Sequence, residues 1–141
     1  MTRRTDQAAT LQAGSEIPAV VKELTQERID RYARAGGDGN PLHTDPEFAV
    51  NTQFGGTIAH GMLLLAYLSE MMTAAFWQAW LSGGRLKARF RDPARPGDTV
   101  LASGRLLRRG DGRAFCQVEC RNQRGEVLVS AEADLPAGRQ G

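Results

Sequence analysis

The sequence has few of the residues that build disulfide frameworks and metal centres. Its 141 residues include two cysteines and two histidines. Cys116 and Cys120 stand four apart in a segment with the alternation of a strand, so they share a face but lie too far apart along it to form a disulfide. No C-x-x-C pair is present, which argues against a structural zinc site. We therefore expect two free, half-buried thiols and a reducing, cytoplasmic location.

Long apolar runs and long basic runs are absent as well. The longest apolar stretch, around residues 61–68, is followed by Ser69 and Glu70 and is far shorter than a membrane span. The polar segment 1–14 lacks the apolar run of a signal peptide. The net charge is +2 and no five consecutive residues are basic, so the charge pattern of a nucleic-acid-binding protein is missing. We expect neither a membrane nor a nucleic acid as a partner.

What is present is the composition of a folded globule. Hydrophobic residues make up 41% of the chain and charged residues 24%, with both signs spread along it. The length suits one domain, and no repeat or linker divides the sequence. We predict a single domain over residues 1–141, with flexible ends at about 1–14 and 136–141.

The first half of the sequence has helical periodicity. Thr25 is suited to the N-cap of a helix over 26–35, and a pair of glycines then stops it. Asp45 is suited to the N-cap of a second, short helix that reaches about residue 51. From His60 the sequence is almost continuously apolar, which predicts a long buried helix to about Ala79.

The second half alternates between apolar and polar residues. Such alternation, interrupted by turn-forming residues, predicts amphipathic antiparallel strands. Together with one long apolar helix, these strands predict an α+β fold in which an antiparallel sheet wraps around the helix, with sheet edges that favour pairing with a second chain. The predicted strands cover residues 17–21, 85–91, 99–107, 115–121 and 126–133. On the second of these, Leu86, Ala88 and Phe90 are expected to share the half-buried face.

Candidate catalytic residues are concentrated between Tyr32 and Met62. Asp38 and His43 are five apart with a proline between them, so a turn could bring carboxylate and imidazole together around one water. Hydration of an α,β-unsaturated thioester needs an oxygen nucleophile at C3, a proton at C2 and stabilisation of the enolate oxygen. The pair suits the first two needs, and the N–H of Gly61 at the start of the apolar helix suits the third. Taken singly, Asp38 could be a turn residue and His43 a hydrogen-bonded loop residue.

Several strings of the sequence form a recognisable set: Tyr32-Ala33-Arg34-Ala35-Gly36-Gly37-Asp38-Gly39-Asn40-Pro41-Leu42-His43-Thr44-Asp45, then Ala49, Phe54-Gly55 and Ile58-Ala59-His60-Gly61-Met62, and later Phe90-Arg91-Asp92-Pro93 and Pro96-Gly97-Asp98-Thr99, which look like a strand and a turn. Through these strings the chain resembles the MaoC-like (R)-specific enoyl-CoA hydratases and 3-hydroxyacyl thioester dehydratases, over roughly residues 15 to 135. The resemblance implies a hot-dog fold, a homodimer and syn addition of water to trans-2-enoyl thioesters. It places Asp38 and His43 on the family's catalytic pair and Gly61 on its oxyanion-hole glycine. It implies no metal or other cofactor. Coenzyme A enters only as part of the substrate.

Further residues are predicted to support the pair or to bind the acyl chain. Asn40 is expected to brace the loop through Asx-type hydrogen bonds. The candidate substrate contacts lie near the start of the apolar helix. Each also has a possible structural role: His60 could be a buried structural histidine, and the apolar residues could serve in packing. No metal is expected, because the histidines lack helical ligand spacing. The candidate substrate-binding residues are Phe54, Ile58, His60, Met62 and Leu63.

Three functions remain open at the level of sequence. The leading hypothesis is a hydratase or dehydratase acting on a coenzyme A or acyl-carrier-protein thioester, and the alternatives are a hot-dog thioesterase and a non-catalytic thioester-binding subunit. Gly36 departs from the family, which usually has Ser or Thr there. The basic residues on the strand 85–91 are either a solvated face or a contact for phosphates or an acidic carrier protein.

Overall fold

A computed structural model of the protein describes residues 11–137. The chain forms one antiparallel sheet and five helices within that range. In chain order the elements are β1 (Glu16–Glu23), α1 (Gln26–Gly36), α2 (Pro41–Thr44), α3 (Pro46–Val50), α4 (Gly61–Phe76), α5 (Gln78–Gly83), β2 (Arg85–Phe90), β3 (Thr99–Gly110), β4 (Arg113–Arg121) and β5 (Val127–Pro136).

The five strands pair in the order β1-β3-β4-β5-β2, and every neighbouring pair is antiparallel. Strands alternate between buried and exposed residues, most regularly in β4, because one face packs against α4 and the other faces outward. The sheet wrapped around α4 confirms the predicted α+β class and the hot-dog fold. β1 and β2 are the two edge strands.

Helix α4 supplies much of the core. Leu68, Met71, Met72 and Phe76 are completely buried against the sheet. Each buried side chain of this size contributes about 1.5–3 kcal/mol relative to its exposed state. The helix is therefore held by packing on the sheet, and its first turn, which starts at Gly61, is fixed in position.

The predicted helix from His60 to Ala79 is wrong in its last turn. Trp77 has φ 44° and ψ −113°, which no helix residue adopts, and its N–H donates to Thr73 O at 2.9 Å. The chain restarts as α5, and the indole N–H of Trp80 then reaches Ser69 Oγ at 2.9 Å. Apolar periodicity did not reveal the break, because both sides of it are buried.

The loop after α1 contains a helix that was not predicted. Asn40 Oδ1 accepts from Leu42 N–H at 3.0 Å and so caps α2, whose first residue is Pro41. A proline has no N–H to leave unpaired and a fixed φ, so it suits that position. The predicted caps Thr25 and Asp45 are both present, accepting from backbone N–H groups of α1 and α3.

Cys116 and Cys120 are free, as predicted, but they are fully rather than half buried, with 2% and 0% exposure. Both side chains are on the face of β4 that packs on α4, and Cys120 Sγ lies 3.7 Å from Leu64 O. Burial raises the pKa of Cys116 to about 11 and that of Cys120 to about 12. Both groups are therefore protonated, unreactive thiols at neutral pH.

The ends that were predicted to be flexible, at about 1–14 and 136–141, fall partly within the described residues, and their flexibility stays a prediction. Gly14 N–H donates to Leu106 O at 2.6 Å, and Ala137 is 5% exposed. The rest of those ends, residues 1–10 and 138–141, lies outside the described residues. Within 11–137, none of the helices has the length and apolarity that crossing a bilayer requires.

Candidate active site

Three helix ends bring the predicted catalytic residues together. Asp38 follows Gly37, which ends α1 in the left-handed conformation at φ 71°. His43 lies on α2, and His60 immediately precedes α4. One carboxylate oxygen of Asp38 and one ring nitrogen of each histidine lie within 4.8 Å of one another. A water bonded to two atoms at about 2.8 Å from each spans separations up to roughly 5.6 Å, so one water fits between the carboxylate and an imidazole.

The neighbours of His43 fix which of its nitrogens accepts a proton. Its Nδ1 lies 2.8 Å from Ile58 O. A carbonyl oxygen only accepts, so Nδ1 carries the hydrogen when the ring is neutral. Nε2 then holds the free lone pair, which is the form that a general base requires.

His60 is next to Asp38 and His43 and is buried, with 2% exposure. Its Nε2 is 3.2 Å from Asp38 O, so we assign a hydrogen to Nε2, and its ring stacks on His43 with centroids 3.9 Å apart. The ring of Tyr32 is tilted against that of His60, with centroids 4.9 Å apart. Nδ1 of His60 has no hydrogen-bond partner among the described residues. This burial favours the alternative role of a buried structural histidine, and both roles of His60 stay predictions.

The same three residues match a metal site poorly. A metal ion lies in the plane of an imidazole, about 2.0–2.1 Å from the ligating nitrogen. The rings of His43 and His60 are stacked with their planes only 25° apart, so their in-plane lone pairs do not converge on one point. One nitrogen of each ring is also next to a backbone carbonyl. The prediction that this protein uses no metal stays a prediction, and this geometry favours it.

An open cavity of about 470 Å³ adjoins His43 at the start of α4. Three of the candidate substrate-binding residues, Phe54, Ile58 and Met62, line it together with Gly61, the candidate oxyanion residue. Leu63 does not, because it is 8% exposed and packs in the core. Asp38 lies beside the cavity rather than in its wall, with 52% of its side chain exposed. The remaining lining residues are Ala59, Leu64, Phe90, Arg91, Asp92, Pro93 and Ala94.

The wall formed by residues 90–94 was not predicted to bind substrate. Phe90 was expected to share the half-buried face of Leu86 and Ala88, but it is 58% exposed at the mouth of the cavity. The signal was present in the string Phe90-Arg91-Asp92-Pro93, which marked the resemblance but was assigned only to a strand and turn. A larger groove, of about 710 Å³, lies on the outer face of β1, β3 and β4 and contains none of the predicted catalytic residues.

Gly61 is the first residue of α4, where N–H groups have no intrahelical partner and the helix dipole favours negative charge. A Cβ at this position would lie 2.6 Å from Cε1 of Phe90. The ring of Phe90 therefore packs directly over the glycine. Only a residue without a side chain allows this ring to stand beside the helix terminus.

Asn40 braces the loop between the catalytic candidates. Its N–H donates to Asp38 Oδ1 at 3.2 Å, and its own Oδ1 caps the helix that carries His43. One residue thus links the carboxylate to the imidazole. These bonds are the Asx-type contacts that the sequence predicts, and the catalytic roles of the two linked residues remain predictions.

Curated relatives resemble this chain over much of its length. 3-Hydroxyacyl-thioester dehydratase Z of Mycobacterium tuberculosis is 38% identical over 88 residues, covering 60% of this chain and 58% of that protein. 3-Hydroxyacyl-thioester dehydratase X of the same species is 38% identical over 95 residues, covering 67% of this chain and 31% of that protein. The chain therefore spans less than two thirds of the length of these relatives.

Solved structures share the fold across nearly the whole chain. R-hydratase PhaJ1 from Pseudomonas aeruginosa superposes with a TM-score of 0.82 at 27% identity, covering 94% of this chain and 86% of that one. The (R)-hydratase from A. caviae involved in PHA biosynthesis gives a TM-score of 0.78 at 29% identity, covering 90% and 97%. The family model described as MaoC like domain matches residues 8–127. The chain belongs to the family of MaoC-like domains.

Proposed function

We propose that the protein catalyses reversible hydration of trans-2-enoyl thioesters to (R)-3-hydroxyacyl thioesters. The observation that carries the proposal is the carboxylate of Asp38 within 4.8 Å of the histidine pair, beside a largely apolar cavity at the N-terminus of α4. The printed names of the relatives, 3-hydroxyacyl-thioester dehydratase and (R)-hydratase, support it.

The pair Asp38 and His43 performs the proton transfers. One water held between them bonds through its oxygen to C3 of the substrate while the pair removes its proton. A proton from the same pair is delivered to C2, so one C–O bond and one C–H bond form on the same face of the double bond. His43 is oriented for this task. Its Nδ1–H donates a hydrogen bond to Ile58 O, so Nε2 is the unprotonated nitrogen of the neutral ring.

The negative charge that develops on the thioester oxygen is stabilised at the start of α4. The N–H of Gly61 is a donor without an intrahelical partner, and the dipole of this 16-residue helix favours an anion there. Side chains and backbone thus meet all three needs of the reaction. We propose that no metal or other cofactor takes part and that coenzyme A enters only as part of the substrate.

The acyl chain lies against Phe54, Ile58 and Met62 in the cavity. The cationic side chain of Arg91 at the same wall suits the phosphates of either coenzyme A or the phosphopantetheine arm of an acyl carrier protein. Both carriers are substrates in this proposal, and the reaction takes place in the cytoplasm, as the free thiols imply.

We also propose a homodimer formed through edge strand β2. Its outer edge has no strand neighbour within residues 11–137, and unpaired edges favour association. Met62 and Phe90, both at the cavity, are 60% and 58% exposed, so a second copy on this edge covers apolar surface at the site. Light scattering on the purified protein tests this, and a monomeric mass at micromolar concentration contradicts it.

The direct assay follows loss of the enoyl-thioester absorbance when protein is added to crotonyl-CoA and to longer enoyl-CoAs, with chiral analysis of the product. Release of free thiol indicates the alternative thioesterase. No change in either signal indicates the non-catalytic binding subunit.

Two substitutions assign the catalytic roles. Asp38→Asn and His43→Gln are each expected to lower turnover by about two to four orders of magnitude, because each removes a positioned acid or base. Asp45→Asn is the matched control, since asparagine also caps a helix and Asp45 caps α3 outside the cavity. Wild-type turnover in either Asp38→Asn or His43→Gln removes that residue from the mechanism.

A further inference from the structure

Gln26, the first residue of α1, lies where three segments around the site meet. Its Nε2 donates to His43 O at 2.8 Å and to Asp30 Oδ1 at 2.9 Å. Its Oε1 accepts from Thr57 Oγ1 at 2.6 Å. The side chain therefore connects α1, the helix α2 that carries His43, and the segment that precedes α4.

The orientation of this amide follows from its neighbours. A backbone carbonyl and a carboxylate only accept hydrogen bonds, so the NH₂ group must face His43 O and Asp30. Both amide hydrogens of Gln26 are then used, and its oxygen receives the hydroxyl of Thr57, which is 8% exposed. A satisfied and partly buried network of this kind is specific in geometry, because turning the amide over would break all three bonds.

Gln26 bonds to two segments, α2 with His43 and the stretch Thr57–Ile58. The hydrogen bond that orients the ring of His43 joins the same two segments. That bond runs from Nδ1 of His43 to Ile58 O. Gln26 holds the backbone carbonyl of His43 at one end and the side chain of Thr57, directly before Ile58, at the other. The backbone bond from Ile58 N–H to Leu42 O also joins these segments but is long, at 3.3 Å.

We propose that Gln26 is a positioning residue for His43. By holding the His43 backbone and the Thr57–Ile58 segment at a fixed separation, it keeps Nδ1 protonated towards Ile58 O and leaves Nε2 as the base. The effect on turnover rests on the function proposed above, while the effect on the ring of His43 does not. Gln26 does not line the cavity, so it acts through His43 and not on the substrate.

The sharpest probe is Gln26→Glu, which keeps the shape of the side chain but turns the NH₂ group into an acceptor. A carboxylate oxygen then faces His43 O and the carboxylate of Asp30, which repels both. Gln26→Met is the second variant, because it removes all three bonds without adding charge. We expect kcat to fall about 10- to 100-fold in both variants, as for other groups that orient a reacting imidazole, with KM changed less than about threefold.

Gln123→Glu is the matched control. Gln123 also makes two structural bonds through both ends of its amide, donating to Asp98 Oδ1 at 3.1 Å and accepting from Thr99 N–H at 3.0 Å. Neither partner lines the candidate cavity. We expect this variant to be less stable with an unchanged kcat, so loss of a structural glutamine is separated from loss of the position of His43.

The ring of His43 is observed directly by ¹⁵N NMR of histidine-labelled protein in alkaline buffer. The chain has two histidines, so two neutral rings contribute, and His43→Gln identifies the signals. We expect a single tautomer with Nδ1 protonated in the wild type, and signals averaged between tautomers in Gln26→Glu and Gln26→Met. This readout needs no turnover, so it tests the role of Gln26 even if the protein proves not to be a hydratase.

Two results would overturn the proposal. One is a His43 ring with the same Nδ1-protonated tautomer in the wild type and in both Gln26 variants, whatever happens to kcat. The other is a fall in kcat for Gln123→Glu as large as that for Gln26→Glu, which would assign the loss to general destabilisation.

Discussion

Replacing Gly61 by alanine tests the packing at the candidate oxyanion site. The new Cβ would lie 2.6 Å from Cε1 and 2.8 Å from Cζ of Phe90. Ordinary carbon–carbon contacts are about 3.5–4.0 Å, so the ring must move by about 1 Å. Gly61 has no positive φ, so the backbone itself tolerates alanine.

The clash is expected to affect the site more than the fold. Phe90 is 58% exposed, so its ring can swing away at a cost of about 1 kcal/mol in the free energy of unfolding, near the cost of one off-rotamer side chain. Phe90 and Gly61 both line the cavity. A displacement of about 1 Å there lowers kcat/KM about 100-fold, because reacting groups lose their alignment.

A double-mutant cycle isolates the cause. In the background of Phe90→Ala the methyl group meets no ring, so Gly61→Ala should lower kcat/KM by less than about threefold, a coupling of about 2 kcal/mol between the two positions. Gly56→Ala is the control, since its Cβ would be 3.8 Å from the nearest atom, Nη1 of Arg95. The reasoning is refuted if Gly61→Ala costs the same factor with and without the Phe90 ring, as measured with crotonyl-CoA.

Three further outcomes follow from the packing and the charges. Gly36→Ala should raise the free energy of unfolding by up to about 1 kcal/mol in urea titrations, because the helical backbone gains propensity and the new Cβ would lie 3.4 Å from the Tyr32 ring; a loss of stability contradicts this. Burial alone would raise the pKa of Asp134, but hydrogen bonds and charges from Arg85 and Arg113 outweigh it and lower that pKa. Asp134→Asn should therefore cost about 1–2 kcal/mol at neutral pH, a difference that shrinks as the pH falls below the ordinary carboxyl pKa and is lost once the pH is below the lowered pKa of the folded protein; a pH-independent difference excludes this ion pair as its source. Cys116 and Cys120, with pKa values raised to about 11 and about 12, should react with dithionitrobenzoate only after unfolding, and rapid labelling of the native protein would disprove their burial.

Features set by local sequence were predictable. Thr25 and Asp45 cap their helices as expected, because a cap depends on residues within one turn of it. The alternation that predicted β3 to β5 depends only on which face is buried. Periodicity predicted the α+β class, and the resemblance added the hot-dog fold and placed Asp38 and His43 on the family's catalytic pair.

Features that depend on distant contacts were not predictable. At the break at Trp77, Trp80 of α5 donates a hydrogen bond back to Ser69 of α4, and buried Phe76 and Trp80 continue the apolar pattern across the break. Phe90 is exposed because the cavity opens at the end of β2, whereas alternation within the strand indicated the opposite. Gln26 resembled any polar residue in a first turn, and only the folded chain brings it to His43 and Thr57.

Helix α2 has four residues and α3 has five, each closed by a capping side chain. Helices this short do not persist alone in water. The imidazole of His43 therefore lies on a short helical turn whose conformation depends on contacts with α1 and with the segment that precedes α4. We therefore expect mild denaturant to abolish the proposed activity while the sheet and its central helix are still intact, so that loss of activity precedes global unfolding in a denaturant titration.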